Sequence, residues 1–208
     1  VSPRVTEEHK NQRRQEILQA ATEVFKRKGF ESTTMKDIVE ACGMSRGGVY
    51  MYFSSTDEMF RAILDQNDDT SASEHYQIRE GETAWEALLR GLDDFEKDLY
   101  HLDDTLVPLK VEYFTAIYRE QGRQPYQLGR YQKMAAAYQS FLATGVERGE
   151  FHPQKPLESI CLSVISFMDG IVLTTLQLGP EHTDVNGQVD HLRFYLEQVL
   201  RVNKVPSK

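Results

Sequence analysis

Residues 33–60 read TTMKDIVEACGMSRGGVYMYFSSTDEMF, which spells two short helices joined by a tight glycine turn, the outline of a helix-turn-helix. Thr34 stands as an N-cap, and Asp37 follows three residues later to reach back to it. Ile38, Val39 and Cys42 give the first helix an apolar face, and Gly43 falls where the chain must turn left-handed. Ser45 caps again at once. Val49 and Phe53 lie one turn apart on the inner face of the second helix, predicted over 46–52, which leaves Arg46, Gly47, Gly48, Tyr50, Met51 and Tyr52 outside.

Two successive glycines cost a helix interior about 1 kcal/mol each relative to alanine. A surface that approaches the floor of a DNA major groove gains from the missing side chains, while Arg46 reaches a guanine edge and Met51 a thymine methyl. The Tyr50 and Tyr52 hydroxyls, the Ser45 hydroxyl and the helix N-terminus suit phosphate oxygens. The alternative reading of Gly47-Gly48 is tight packing on another helix of the same protein.

With the preceding helix, residues 14–60 resemble the N-terminal domain of TetR-type transcriptional repressors. The resemblance rests on Arg14, Ile17, Ala20-Ala21, Val24-Phe25, Gly29-Phe30, Thr33-Thr34, Ile38-Val39, Gly43, Ser45, Gly48, Val49-Tyr50, Phe53 and Asp57-Glu58-Met59. It implies a three-helix DNA-binding head, a larger helical domain that binds a small ligand, and a homodimer that releases its operator when the ligand arrives. It also implies that Thr33, Thr34, Lys36, Ser45, Arg46, Gly47, Tyr50 and Tyr52 face DNA. The chain departs from the family pattern at three positions. Thr56 replaces a common lysine phosphate contact, Tyr52 a frequent histidine, and Cys42 a usual alanine.

The chain has 208 residues, 40% hydrophobic and 27% charged, with a net charge of −8. That composition is ordinary for a folded protein. Residues 1–60 carry nine basic and nine acidic residues, so the remainder, with 15 basic and 23 acidic, holds the whole net charge. A neutral head can still offer DNA a locally positive face, and an acidic body favours docking head-first. Arg4, Lys10, Arg13 and Arg14 form either a basic arm toward phosphates or a frayed, solvated terminus. Cys42 and Cys161, far apart and outside any metal spacing, fit a reduced cytoplasmic setting, and the polar start of the chain offers no secretory signal. Ile160 to Leu178 approaches the length of a membrane span, but Ser163, Ser166, Asp169, Thr174, Thr175 and Gln177 interrupt it, so no membrane association is expected.

Helical periodicity persists throughout and predicts an all-α protein of about nine helices, near 9–28, 35–42, 46–52, 56–70, 82–100, 103–121, 125–148, 156–178 and 187–202. The expected division is a DNA-binding domain over 1–55 and a ligand-binding and dimerisation domain over 56–208. The eighth helix is apolar nearly all round and needs cover on both sides. Together with the last helix it predicts a four-helix homodimer interface through Ile160, Val164, Phe167, Ile171, Leu192, Leu196 and Val199. The middle helices hold the expected effector residues Trp85, Phe95, Tyr113, Phe114, Tyr118, Tyr131, Met134, Tyr138, Met168 and Asp169. Plain core is the competing reading of those aromatics, although each buried tyrosine hydroxyl needs a partner that a ligand pocket supplies. Glu112 or Asp169 would give a lipophilic effector a preference for positive charge.

Two other functions can be weighed against a regulator. Gly43-Met44-Ser45-Arg46-Gly47 matches the G-x-S-x-G elbow of serine esterases, but helical periodicity surrounds it and no strand is predicted. An adaptor anchored on DNA, whose main partner is another protein, would need an exposed apolar surface beyond the dimer face. No nucleotide, metal or cofactor fingerprint occurs, and the six histidines include no helical pair. The expectation is therefore a ligand-responsive, non-enzymatic repressor that binds a palindromic double-stranded operator as a homodimer.

Overall fold

The computed structural model describes residues 7–75, 77–115 and 121–203. Among them are nine α-helices and no strand: α1 Glu7–Lys28, α2 Met35–Cys42, α3 Arg46–Tyr50, α4 Thr56–His75, α5 Ala84–Leu99, α6 Val107–Thr115, α7 Gln124–Glu147, α8 Leu157–Leu178 and α9 Val185–Leu200. The all-α expectation is met. The helix expected over 103–121 is divided, because a 3-10 turn at Leu102–Asp104 runs into extended Thr105. The Thr105 hydroxyl donates to the Leu102 carbonyl at 2.7 Å and accepts from the Val107 amide at 3.1 Å, so α6 starts afresh. Residues 116–120 of that expectation lie outside the described residues.

The chain forms two compact units that divide between Thr70 and Ser71, inside α4. In the N-terminal unit, α1 buries Ile17, Leu18, Ala21, Val24 and Phe25, α2 buries Ile38, and α4 buries Met59, Phe60 and Leu64. The Phe25, Phe30 and Phe60 rings meet at 5.0–5.7 Å between centroids. Lys28 closes the α1–α2 corner on Asp37 at 2.8 Å.

The C-terminal unit is built around α5, α7, α8 and α9, whose core includes Leu88, Leu92, Phe141, Leu142, Val164, Leu192 and Leu196. Arg193 ties α9 to α5 by contacting Asp93 at 2.6 Å and Glu96 at 2.8 Å. Phe151 lies on Gly145, where a Cβ would overlap its ring. Two devices satisfy the first amides of α5. Thr83 and Glu86 form a local capping box, and the Glu150 carboxylate accepts from the amides of Ala84 at 2.6 Å and Trp85 at 3.3 Å. Charge-assisted bonds of this kind contribute about 1.5–3 kcal/mol each. Glu150→Ala should therefore lower the unfolding free energy by roughly that much, read as an earlier urea midpoint at unchanged slope.

α8 is long and apolar enough to cross a membrane by length and composition, with 22 residues and a mean hydropathy of 1.8 over its most apolar window. It packs against α7 and α9. About a third of its most apolar window is buried within the single chain.

Candidate nucleic-acid interface

The helix-turn-helix follows from its caps. Thr34 and Asp37 form a full capping box: the Asp37 carboxylate accepts from the Thr34 amide at 2.9 Å and hydroxyl at 2.7 Å, and the Thr34 hydroxyl accepts from the Asp37 amide at 3.3 Å. The Lys28 ammonium, followed by Thr34, holds the Asp37 carboxyl well below the usual carboxylate range. Gly43 ends α2 at φ 62°, in the left-handed region where a Cβ is penalised. Ser45 then caps α3 by accepting from the Gly48 amide at 3.2 Å. α3 is shorter than predicted, ending at Tyr50, and Met51 and Tyr52 continue as a turn.

Val49 and Phe53 are buried, whereas Arg46, Gly47, Tyr50 and Met51 are exposed, Met51 at 79%. Tyr52 is half-buried and Lys36 exposed, 3.7 Å from Glu40. The Arg46 guanidinium lies over the Tyr50 ring, 5.2 Å from its centroid. The two glycines have different reasons. A Cβ on Gly47 would meet nothing within 4 Å, so packing among the described residues does not require a glycine there. A Cβ on Gly48 would stand 3.3 Å from the Ser45 hydroxyl and crowd the cap.

Four of the sequence-assigned residues are engaged internally. Thr33 is corrected from a DNA-facing residue to an interior one: it is buried, and its hydroxyl donates to the Gly29 carbonyl at 2.6 Å. Of the basic arm, Lys10 pairs with Glu7 and Arg13 with Glu16, each at 2.7 Å, and Arg14 lies over Phe53 at 5.0 Å. The two surface pairs exchange readily for other partners, but Arg14 is part of the fold. Arg4 lies outside the described residues. The Ser45 hydroxyl serves as a helix cap with no strand before it among the described residues, so the G-x-S-x-G match is not a nucleophile elbow.

Of the expected effector residues, Trp85, Phe95, Tyr138 and Met168 belong to or pack on one core cluster. Tyr113 is fully buried and meets Phe114 edge-on at 4.9 Å, with Arg123 over Tyr113 at 4.4 Å and Arg130 over Phe114 at 4.9 Å. Met134 is exposed on α7, and Tyr118 lies outside the described residues. Tyr131 lines a shallow groove of about 210 Å³ with Ala135, Ala136, Cys161 and Leu162. Burial pushes the Cys161 thiol up to about 11, so it is a neutral wall. Asp169 is on the exposed side of α8, where partial desolvation by its surroundings raises its carboxyl.

The residues expected at a dimer interface lie mostly within the single chain. Ile160, Val164, Ile171, Leu192 and Leu196 are buried inside the single chain, Val199 is half-buried, and Phe167 alone of the seven is exposed. The outward face of α8 instead carries Leu162, Ser166, Phe167, Gly170 and Leu173, and α9 adds Phe194 at 63% exposure. A Cβ on Gly170 would meet nothing within 4 Å. The sequence signal that locates this face is the arc marked by Ser163, Ser166, Asp169 and Gly170.

Comparisons with known proteins agree with the geometry. Residues 17–63 match the model of bacterial regulatory proteins of the tetR family, and residues 87–186 match the tetracyclin repressor-like C-terminal domain. The chain is 41% identical to the HTH-type transcriptional regulator YfiR of Bacillus subtilis, over 98% of this chain and all of that one. It is 26% identical to the HTH-type transcriptional regulator TtgR of Pseudomonas putida, over 90% of each. Among solved structures, Salmonella enterica GusR superposes with a TM-score of 0.75 at 22% identity, covering 95% of this chain and 98% of the other.

Proposed function

The chain belongs to the TetR family of bacterial transcriptional regulators, and on that footing we propose that it is a homodimeric repressor released from a palindromic operator by a small effector. It acts where the chromosome is, in the cytoplasm. The observation that carries the reading is the outer face of α3: Arg46, Gly47, Tyr50 and Met51 are presented together, and Gly47 borders open space. That face suits a major groove, with Arg46 reading a base and Thr34, Lys36, Ser45, Gly48 and Tyr52 around it.

Two-fold pairing through the outward faces of α8 and α9 would present two such heads to half-sites about one helical turn, or a multiple, apart. For the effector, Arg123 and Arg130 already lie over Tyr113 and Phe114. Those ring faces are supplied with a cation from within, which favours a neutral or anionic lipophilic effector over a cation drawn by Glu112 or Asp169. The Tyr131 groove is the candidate entry.

Selection of bound fragments from random DNA by the purified protein tests this reading. Enrichment of a palindrome whose affinity falls steeply with salt is the expected result, and failure to enrich any sequence would overturn it. Arg46→Ala should cost about 1–3 kcal/mol of operator affinity and relax preference at one base pair per half-site. An unchanged preferred sequence would assign base reading to another residue.

A further inference from the structure

The contact between Arg46 and Tyr50 carries one step more, and it rests on the base-reading role just proposed for Arg46. We infer that Tyr50 is the positioning residue for Arg46, so that its ring sets sequence specificity while its hydroxyl contributes only general affinity.

An exposed arginine has about 2 kcal/mol of rotamer entropy to lose when it docks. What precedes docking therefore decides how selective it is. Arg46 opens α3, and its two C-terminal neighbours are glycines, which have no side chain to brace it. Among the described residues, the contact recorded for Arg46 is with Tyr50, one helical turn on. The guanidinium lies over the ring at 5.2 Å from the centroid, within cation–π range. A guanidinium held by its face keeps its N–H donors at the edge, the arrangement that meets guanine O6 and N7 in bidentate fashion. Tyr50 is 40% exposed, so its ring is available as a platform without being part of the core.

The ring and the hydroxyl then have separable effects. Tyr50→Phe keeps the platform and removes the hydroxyl. Tyr50→Leu removes both and leaves an apolar side chain over the same helix face.

The test is a competition-binding profile over all single-base variants of the selected operator, for wild type, Arg46→Ala, Tyr50→Phe, Tyr50→Leu and the double variant Arg46→Ala/Tyr50→Leu. Tyr50→Phe should weaken every sequence alike and keep the profile. Tyr50→Leu should cut discrimination about two- to fivefold, the range of an exposed cation–π contact, at the same base pair that Arg46→Ala flattens. The double variant should be no flatter there than Arg46→Ala alone. NMR relaxation of the Arg46 Nε–H in the free protein supplies a readout that needs no DNA: order should persist in Tyr50→Phe and fall in Tyr50→Leu. A Tyr50→Leu protein that loses affinity uniformly while its profile stays wild-type would overturn the inference and leave Arg46 as the reader. A flat response to Arg46→Ala itself would sink the base-reading role, and this inference with it. Melting curves identify any misfolded variant, and Tyr50→Gln replaces Tyr50→Leu in that case.

Discussion

If the proposed pairing holds, a chain carrying Phe167→Asp should sediment as a monomer at concentrations where the wild type pairs, and its affinity for a two-half-site operator should fall by about 10²- to 10⁴-fold, the range lost when two linked sites bind singly. The physical cause is the charge that replaces an exposed aromatic ring on a face that association would dry. Phe167 is 48% exposed within the single chain, so the fold of each protomer should survive the change, with its helical signal and melting transition retained. Phe194→Asp on α9, at a site 63% exposed, should behave alike. Leu192→Ala is the contrast. Leu192 is fully buried in its own chain, so truncation should cost about 2–5 kcal/mol of folding stability as a core cavity and change oligomeric state only as a result. If Phe167→Asp remained dimeric, the outward faces of α8 and α9 would not be the place of pairing.

Gly47 should give a result of opposite sign in two assays. Gly47→Ala should raise folding stability by up to about 1 kcal/mol, since alanine is the better helix former and nothing stands within 4 Å of the added Cβ. The same substitution should weaken operator binding, and Gly47→Leu should reduce it to the non-specific level, about 10³-fold or more below the specific one. A glycine kept at a cost to its own helix, with no neighbour demanding it, is explained by something outside the chain that comes close. Urea denaturation and binding isotherms on the same preparations are sufficient. A Gly47→Leu protein with undiminished operator affinity would show that the backbone of α3 does not approach DNA at that point.

The N-terminal unit was legible because its determinants are local. Thr34 and Asp37 are three residues apart, Gly43 follows one helix and Ser45 precedes the next, and the structure uses each as the spacing implies. Thr33 escaped the same reasoning because its hydroxyl is taken by a carbonyl one turn back, which residue type does not reveal. The C-terminal unit was legible in its helices and not in its faces. An apolar residue on α8 serves equally well inside its own chain or against a copy. Ile160, Val164 and Ile171 went inward, while the outward arc is diluted with Ser166, Asp169 and Gly170. The effector set was drawn by residue type from several helices, and a residue type that packs on a core cluster, as Trp85, Phe95 and Tyr138 do, reads the same in sequence as one that lines a pocket.

Glu150 also bears on the order in which the chain can mature. The carboxylate that receives the first amide of α5 is 66 residues further along the sequence. During synthesis, α5 leaves the ribosome with its local capping box alone and waits for the end of α7 before its amino end is closed. The corner between α1 and α2, joined by Lys28 and Asp37, needs no such wait. The DNA-reading unit can therefore consolidate first and the C-terminal unit as a late, single event. A nascent chain halted before Glu150 should hold a protease-resistant head while its α5 stays open to cleavage.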